Sequence, residues 1–208
     1  MTGNSQALKT DKAGRVLVIA CGMLAREVLA IREHSSLGHV DVTCLPAQLH
    51  FQSKKIPAAM RAAIREAKAA GYENILAGYG DCGTGGRLDA VLEEEGVPRV
   101  AGPHCFAFYQ GLDAFAKREP EDFTSFYFTD FLVRNFRTFF LEPLGLDRHP
   151  ELKADYFRHY ERVVYLAQTD DPELDRKAKE AAAWLDLAYE RRLTGFGALE
   201  TTIKAAAA

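Results

Sequence analysis

Short apolar runs alternate with helix-forming stretches along the first half of this chain, and that alternation restricts the fold more than any other feature. Residues 15–20 (RVLVIA) are almost continuously apolar, the pattern of a strand buried on both faces. Residues 40–45 (VDVTCL) alternate and carry β-branched side chains, and Pro46 stops them. Residues 74–78 (NILAG) and 97–101 (VPRVA) read as a third and a fourth strand. Helical periodicity fills the gaps, most clearly after Pro57, which sits in a first turn, and up to Gly71, which suits a helix end. Strand and helix in repetition predict a parallel sheet with right-handed crossovers.

The second half changes character. Residues 106–140 are dense in phenylalanine and tyrosine with almost no β-branched alternation, and predict two or three aromatic-rich helices. A further helix is expected over 147–162, a fifth strand at 163–167 (VVYLA), a helix starting at Asp170, and a last strand or extended edge at 187–192. The expected architecture is α/β: a three-layer, doubly wound, mostly parallel sheet with an aromatic-rich helical insertion or lid at 106–162. It occupies a single domain at 15–204 behind a flexible arm at 1–14.

Composition narrows the function classes. With 208 residues, 48% of them hydrophobic, the chain can bury a substantial core. A net charge of −3 argues against a nucleic-acid or anionic-membrane binder. No apolar run approaches the about 20 residues that span a bilayer. The polar first residues lack the apolar segment of a secretory leader, so the expected address is cytoplasmic and the four cysteines are expected as reduced thiols or ligands. The excess of aromatic residues suits a homodimer.

Cys21, Cys82 and Cys105 each fall at the carboxyl end of an expected strand, where open α/β sheets bind ligands. Three thiols there would form a soft site for Zn²⁺ or, less readily, an iron–sulfur centre, or would support covalent chemistry. Cys44 lies inside its strand and is assigned to the core. Around Cys82 runs YGDCGTGG, residues 79–86, where Gly80, Gly83, Gly85 and Gly86 allow positive φ and close approach to a small-molecule ligand. Stacked N–H groups at the following helix start would favour an anion and would lower the Cys82 pKa. The segment is neither a P-loop nor a G-x-G-x-x-G turn.

His104 adjoins Cys105, and neighbours on an extended segment point to opposite sides, so one is expected to act while the other packs. Asp81 and Asp89 flank the glycine turn, and Gln168 follows the fifth strand at the same edge. His50, His149 and His159 form a second tier, the last two facing one side of an expected helix. Asp130 and Arg134 have the spacing of an i,i+4 ion pair. Three readings stand side by side: a metal held by Cys21, Cys82 and either Cys105 or His104; a metal-independent enzyme with Cys82 as nucleophile, His104 as base and Asp81 or Asp89 as orienter; and a non-enzymatic module that docks a cofactor or partner under the aromatic segment.

The stretches VIACGMLAREV, CLPAQLH, YGDCGTGGRLD, GPHCF, FYFTDFLVRNF, LGLDRHPEL, HYERVVYLAQTDD and YERRLTGFG resemble the DUF1638 proteins of bacteria and archaea. The resemblance covers nearly all of the chain after residue 14. It implies the company of corrinoid proteins, methyltransferases and corrinoid-activating ferredoxins in methylated-amine metabolism, by neighbourhood rather than by any residue named above. On that footing the expected role is a metal-site protein of one-carbon metabolism, catalytic or accessory. Corrinoid would be met only through a partner, and the thiolate-rich zinc sites of thiol-methylating proteins offer a chemical analogy.

Overall fold

A computed structural model of the chain describes residues 12, 14–117 and 122–208. The flexible arm expected at 1–14 falls almost wholly outside the described residues. The described chain divides into two compact units, one up to Val100 together with Thr201–Ala208, the other Ala101–Glu200. Each contains a three-stranded, all-parallel sheet flanked by helices, an α/β fold throughout.

In the first unit the strands are β1 (Val16–Cys21), β2 (Val40–Leu45) and β3 (Asn74–Gly78), in the order β2-β1-β3. The continuous apolar run of β1 takes the centre because only a strand covered on both faces needs no polar side: Val16 to Ala20 are all buried. The expected fourth strand shrinks to one parallel bridge, Ala77 to Arg99. Pro98 has no N–H to give to a longer ladder.

Helix α1 (Ala25–His34) follows β1 through a short 3₁₀ turn, Gly22–Leu24, while α2 (Ile56–Ala69) and α3 (Arg87–Glu95) lead to and from β3. Ile56, Met60, Ile64 and Ala67 of α2 recur on one stripe and join Leu88 and Leu92 of α3 in a core against Leu17, Ile19, Leu45, Ile75, Ala77 and Tyr79. Helix α3 stops at Gly96, whose φ of +66° is the left-handed conformation that ends helices. With right-handed crossovers, moving from β1 to β2 and from β2 across to β3 sets α1 on one face and α2 with α3 on the other. The chain therefore leaves β1 and β3 toward opposite faces, which opens a crevice at their carboxyl ends.

The second unit carries α4 (Cys105–Gln110), α5 (Leu112–Ala116), β4 (Ser125–Thr129), α6 (Asp130–Arg134), α7 (Lys153–Phe157), β5 (Arg162–Ala167), α8 (Pro172–Trp184) and β6 (Ala188–Leu193). Helix α9 (Gly197–Ala206) returns the chain to the first unit. Strand order is β4-β5-β6. The aromatic-rich segment is largely helical as expected, but it also hides β4, SFYFT, because aromatic residues pack as well on a pleat as on a helix. Its rings fill a core: Phe136 stacks on Phe140 at 5.0 Å, and Phe126 meets Phe140 and Phe157 edge-on or tilted at 5.4 Å. The helix expected over 147–162 breaks into a 3₁₀ turn at Pro150–Leu152 and the five-residue α7. His149 and His159 accordingly do not share a helix face.

Candidate functional site

Glycines bring the strand ends of the first unit close together. A Cβ on Gly22 would stand 2.8 Å from the Leu45 carbonyl oxygen and 2.9 Å from the Ala47 nitrogen, so the turn after β1 lies directly on the turn after β2. A Cβ on Gly78 would meet Ala20 at 3.2 Å. Register pairs Ala20 with Gly78 and Cys21 with Leu45, which sets Tyr79 level with Cys21 on the face covered by α2 and α3. Cys21 and Cys82 both pack against that core.

Tyr79 is 1% exposed, and its buried hydroxyl closes no well-formed hydrogen bond. Burial pushes its pKa far up, and the groups acting on it next are thiols: Cys21 first, then Cys82 and Cys44. Burial also raises the Cys21 thiol, against the Met23 N–H and the Tyr79 hydroxyl, with the buried Glu27 carboxylate adding to the rise. Cys82 is pushed up to about 11, by burial first and then by Cys21, while the Gly80 N–H and the Arg99 guanidinium oppose the shift. Its φ of +50° is a conformation that non-glycine residues adopt at a cost on the order of 1 kcal/mol.

The direction of the Cys82 shift corrects the expectation from the glycine turn, and the reason is local. Asp81 takes the donors of its own loop: the Thr84 hydroxyl at 2.6 Å, the Gly86 N–H at 2.8 Å and the Gly85 N–H at 3.1 Å. Thr84, fully buried, accepts in turn from the Leu88 N–H at 3.3 Å. The amides expected to cradle an anion are thus occupied by a resident carboxylate. Gly83, Gly85 and Gly86 use their positive φ (+77°, +64° and +80°) to build that closed turn. Asp81 sits below its ordinary pKa: burial works against this, but the Thr84 hydroxyl and the N–H groups of Gly86, Gly85 and Gly83 prevail. Asp89 makes a two-pronged ion pair with Arg99, at 2.5 and 3.0 Å.

Cys44 is exposed, not core. It is paired with Ala20 while Cys21 is paired with Leu45, so the pleat turns the two thiols to opposite faces of the sheet. Cys105, His104 and Gln168 belong to the second unit. The donor set and the nucleophile–base pair expected from the sequence are therefore not assembled within either unit alone. His104 precedes α4 with its ring edge-on to Phe106 at 5.0 Å and to Phe115 at 4.8 Å, and Cys105 opens the helix.

Gln168 serves a buried hub. Its side-chain oxygen accepts from the Asp130 N–H at 2.7 Å, and the Asp130 carboxylate accepts from Gln168 N–H at 3.0 Å and from the hydroxyls of Tyr165 and Thr169 at 2.6 Å each. Arg134 stands 3.6 Å from Asp130, the expected i,i+4 pair. His50 is lowered by burial, and His149 forms an exposed pair with Glu151 at 3.2 Å. Sequence reasoning missed Tyr79, and it saw in Asp130 the ion pair with Arg134 but not the buried hub. The available signal was polar chemistry on residues that directly follow apolar strands.

Among the described residues, no group of three or more His, Cys, Asp or Glu side chains is placed to hold a metal ion. No described helix is long and apolar enough to cross a membrane. What the geometry presents is an α/β protein with two half-buried thiols and a buried tyrosine hydroxyl at the crevice of its first sheet. The chain belongs to the family described as protein of unknown function DUF1638, whose model matches residues 44–203. No curated protein and no solved structure matches it.

Proposed function

We propose that the crevice at the ends of β1 and β3 binds a soft metal ion through Cys21 and Cys82, and that the chain is a cytoplasmic metal-site protein, catalytic or accessory, in corrinoid-linked one-carbon chemistry. One observation carries the binding site: a fully buried tyrosine hydroxyl without a well-formed hydrogen bond, facing two thiols where an open α/β sheet holds its ligands. Soft sulfur donors suit copper, zinc and iron–sulfur centres, with Zn²⁺ the ion placed first by analogy with thiol-methylating proteins. The link to methyl metabolism, and a corrinoid protein or methyltransferase as partner, rests on the family resemblance alone.

The residues fit such an ion. Cys21 and Cys82 are protonated at neutral pH because burial disfavours their thiolates, and a cation supplies the charge that stabilises both thiolates, with release of two protons. The Gly80 N–H donates to the Cys82 sulfur, and Tyr79 has a hydroxyl proton to give to a sulfur or to a bound ligand. Elemental analysis of protein purified without oxygen tests the reading. It requires metal near one equivalent per chain that is lost in Cys21→Ser and Cys82→Ser. Metal-free protein that alkylates rapidly at Cys82 would replace it with a thiol nucleophile.

A further inference from the structure

Independently of the strand-end site, we infer that the outer edge of β2 is the surface at which two copies of this chain pair, β2 against β2 in antiparallel sense, into one continuous sheet. Among the described residues, the strand order β2-β1-β3 gives β2 a neighbour on one side only. Beside it lies a hollow of about 460 Å³. Asp41, Val42 and Thr43 all line that hollow, and successive side chains of a strand point to opposite faces. The hollow therefore follows the edge of β2 rather than either face of the sheet. Leu29 and Arg32 of α1 wall it on one side, and Ala63 and Glu66 of α2 on the other. Outward N–H and C=O groups of an edge strand, set between two helical walls, form the shape that receives an added strand.

The composition of the edge points to a second copy as its occupant. Exposed edges are ordinarily blunted by charges, Lys, Pro or bulges. Strand β6 at the edge of the second sheet is of that kind, with Glu190, Arg191 and Arg192 among its residues. Strand β2, VDVTCL, has neither Pro nor Lys, and pairs with β1 in unbroken register from Val40 to Leu45. Its one charge, Asp41, is drawn onto the α2 face by the Arg15 guanidinium at 2.8 Å and the Tyr72 hydroxyl at 2.6 Å. Thr43 and Cys44 are exposed, and Leu29 beside the edge is 48% exposed. A twofold axis perpendicular to the sheet keeps each face on its own side, so Leu29 and Val42 of both copies share one apolar patch. Arg32 and Glu33, neighbours on α1 beside that patch, are offered reciprocally to Glu33 and Arg32 of the other copy. Joining two three-stranded sheets gives six strands, within the common size of about 4 to 6.

The test is sedimentation equilibrium of the full-length chain over micromolar concentrations, with hydrogen–deuterium exchange on the same samples. Expected are a dimer, slower exchange of the β2 amides as it forms, and a dissociation constant raised at least about tenfold by Leu29→Lys and by Val42→Lys. Leu29 is half exposed, so its replacement spares the fold, and circular dichroism checks both variants. Leu193→Lys, at the 57% exposed end of β6, is the control and should leave the dimer intact. A monomer at every concentration overturns the inference. So does a dimer that both Leu29→Lys and Val42→Lys preserve, or one that forms without slowing β2 exchange. A monomer whose β2 amides are protected by a peptide copying residues 40–45 would assign the hollow to a strand of another protein and likewise overturn the pairing of copies.

Discussion

Tyr79 stands level with Cys21 across the β1–β3 pair, its hydroxyl buried against the thiol without closing a well-formed hydrogen bond. A polar group in that position costs free energy in the folded state, and the surrounding fold sustains the cost. Such sites concentrate where a protein binds something.

Tyr79→Phe should therefore leave stability unchanged or raise it by up to about 1 kcal/mol, because it removes a buried hydroxyl that is poorly satisfied. Urea unfolding of the metal-free protein reads this directly. A loss above about 1 kcal/mol would mean that the Cys21 contact is a full hydrogen bond.

Alkylation should discriminate among the cysteines. At neutral pH exposed Cys44 should react ahead of Cys21 and Cys82, although burial raises it too. The Cys82 rate should climb with pH toward about 11. The sign for stability follows: a thiol whose folded pKa exceeds its unfolded value contributes fully below the ordinary thiol range and loses that contribution as pH rises toward about 11. Mass spectrometry of iodoacetamide-quenched samples over pH would show a Cys82 rate already saturated near pH 8 if the direction were wrong.

Asp81→Ala should open the 79–86 turn. Three donors lose their acceptor, at a cost of about 2 to 4 kcal/mol. Asp81 is depressed, so its contribution is present above the ordinary carboxylate range and fades as pH falls through its lowered folded value. The stability difference between wild type and variant should shrink on acidification. A difference that stays constant down to acid pH would contradict the loop geometry.

Gly22→Ala should cost about 1 to 3 kcal/mol, because the new methyl meets backbone atoms of 45 and 47 that cannot swing aside. Gly197→Ala should cost at least as much, with its Cβ driven into the Phe108 carbonyl oxygen and a φ of +52°. Gly38→Ala, with nothing within 4 Å, is the control and should be neutral. Thermal melts of the three variants rank them.

Asp130→Asn should destabilise by about 2 to 4 kcal/mol. The amide offers donors where Tyr165, Thr169 and the Gln168 N–H already donate, leaving buried polar groups opposed. An equally stable variant would show that the hub is looser than these distances.

Much of this was legible in the chain itself. Continuous apolar β1, the Pro46 stop, the Pro57 start and the Gly71 end are local signals, and each element forms where its residues say. The family stretches and the strand-end positions of Cys21 and Cys82 were legible too. β4 was not, since a run of aromatic residues has the same hydrophobicity in helix and strand and only its partner β5 decides between them. The break in 147–162 also escaped, because a pattern that suits a helix does not reveal the 3₁₀ turn at its start or the strand that claims its end.

The sequence by itself determined the α/β class, the parallel pairing and the thiols at the strand ends, because periodicity and turn chemistry act over a few residues. Tertiary structure alone decided which thiols share a face. Register and pleat separate Cys44 from Cys21, burial rather than the glycine turn sets the Cys82 proton, and Asp81 fills the amides that a ligand would have used. These outcomes depend on which distant segments come to lie together, and neighbouring letters in a chain do not carry that information.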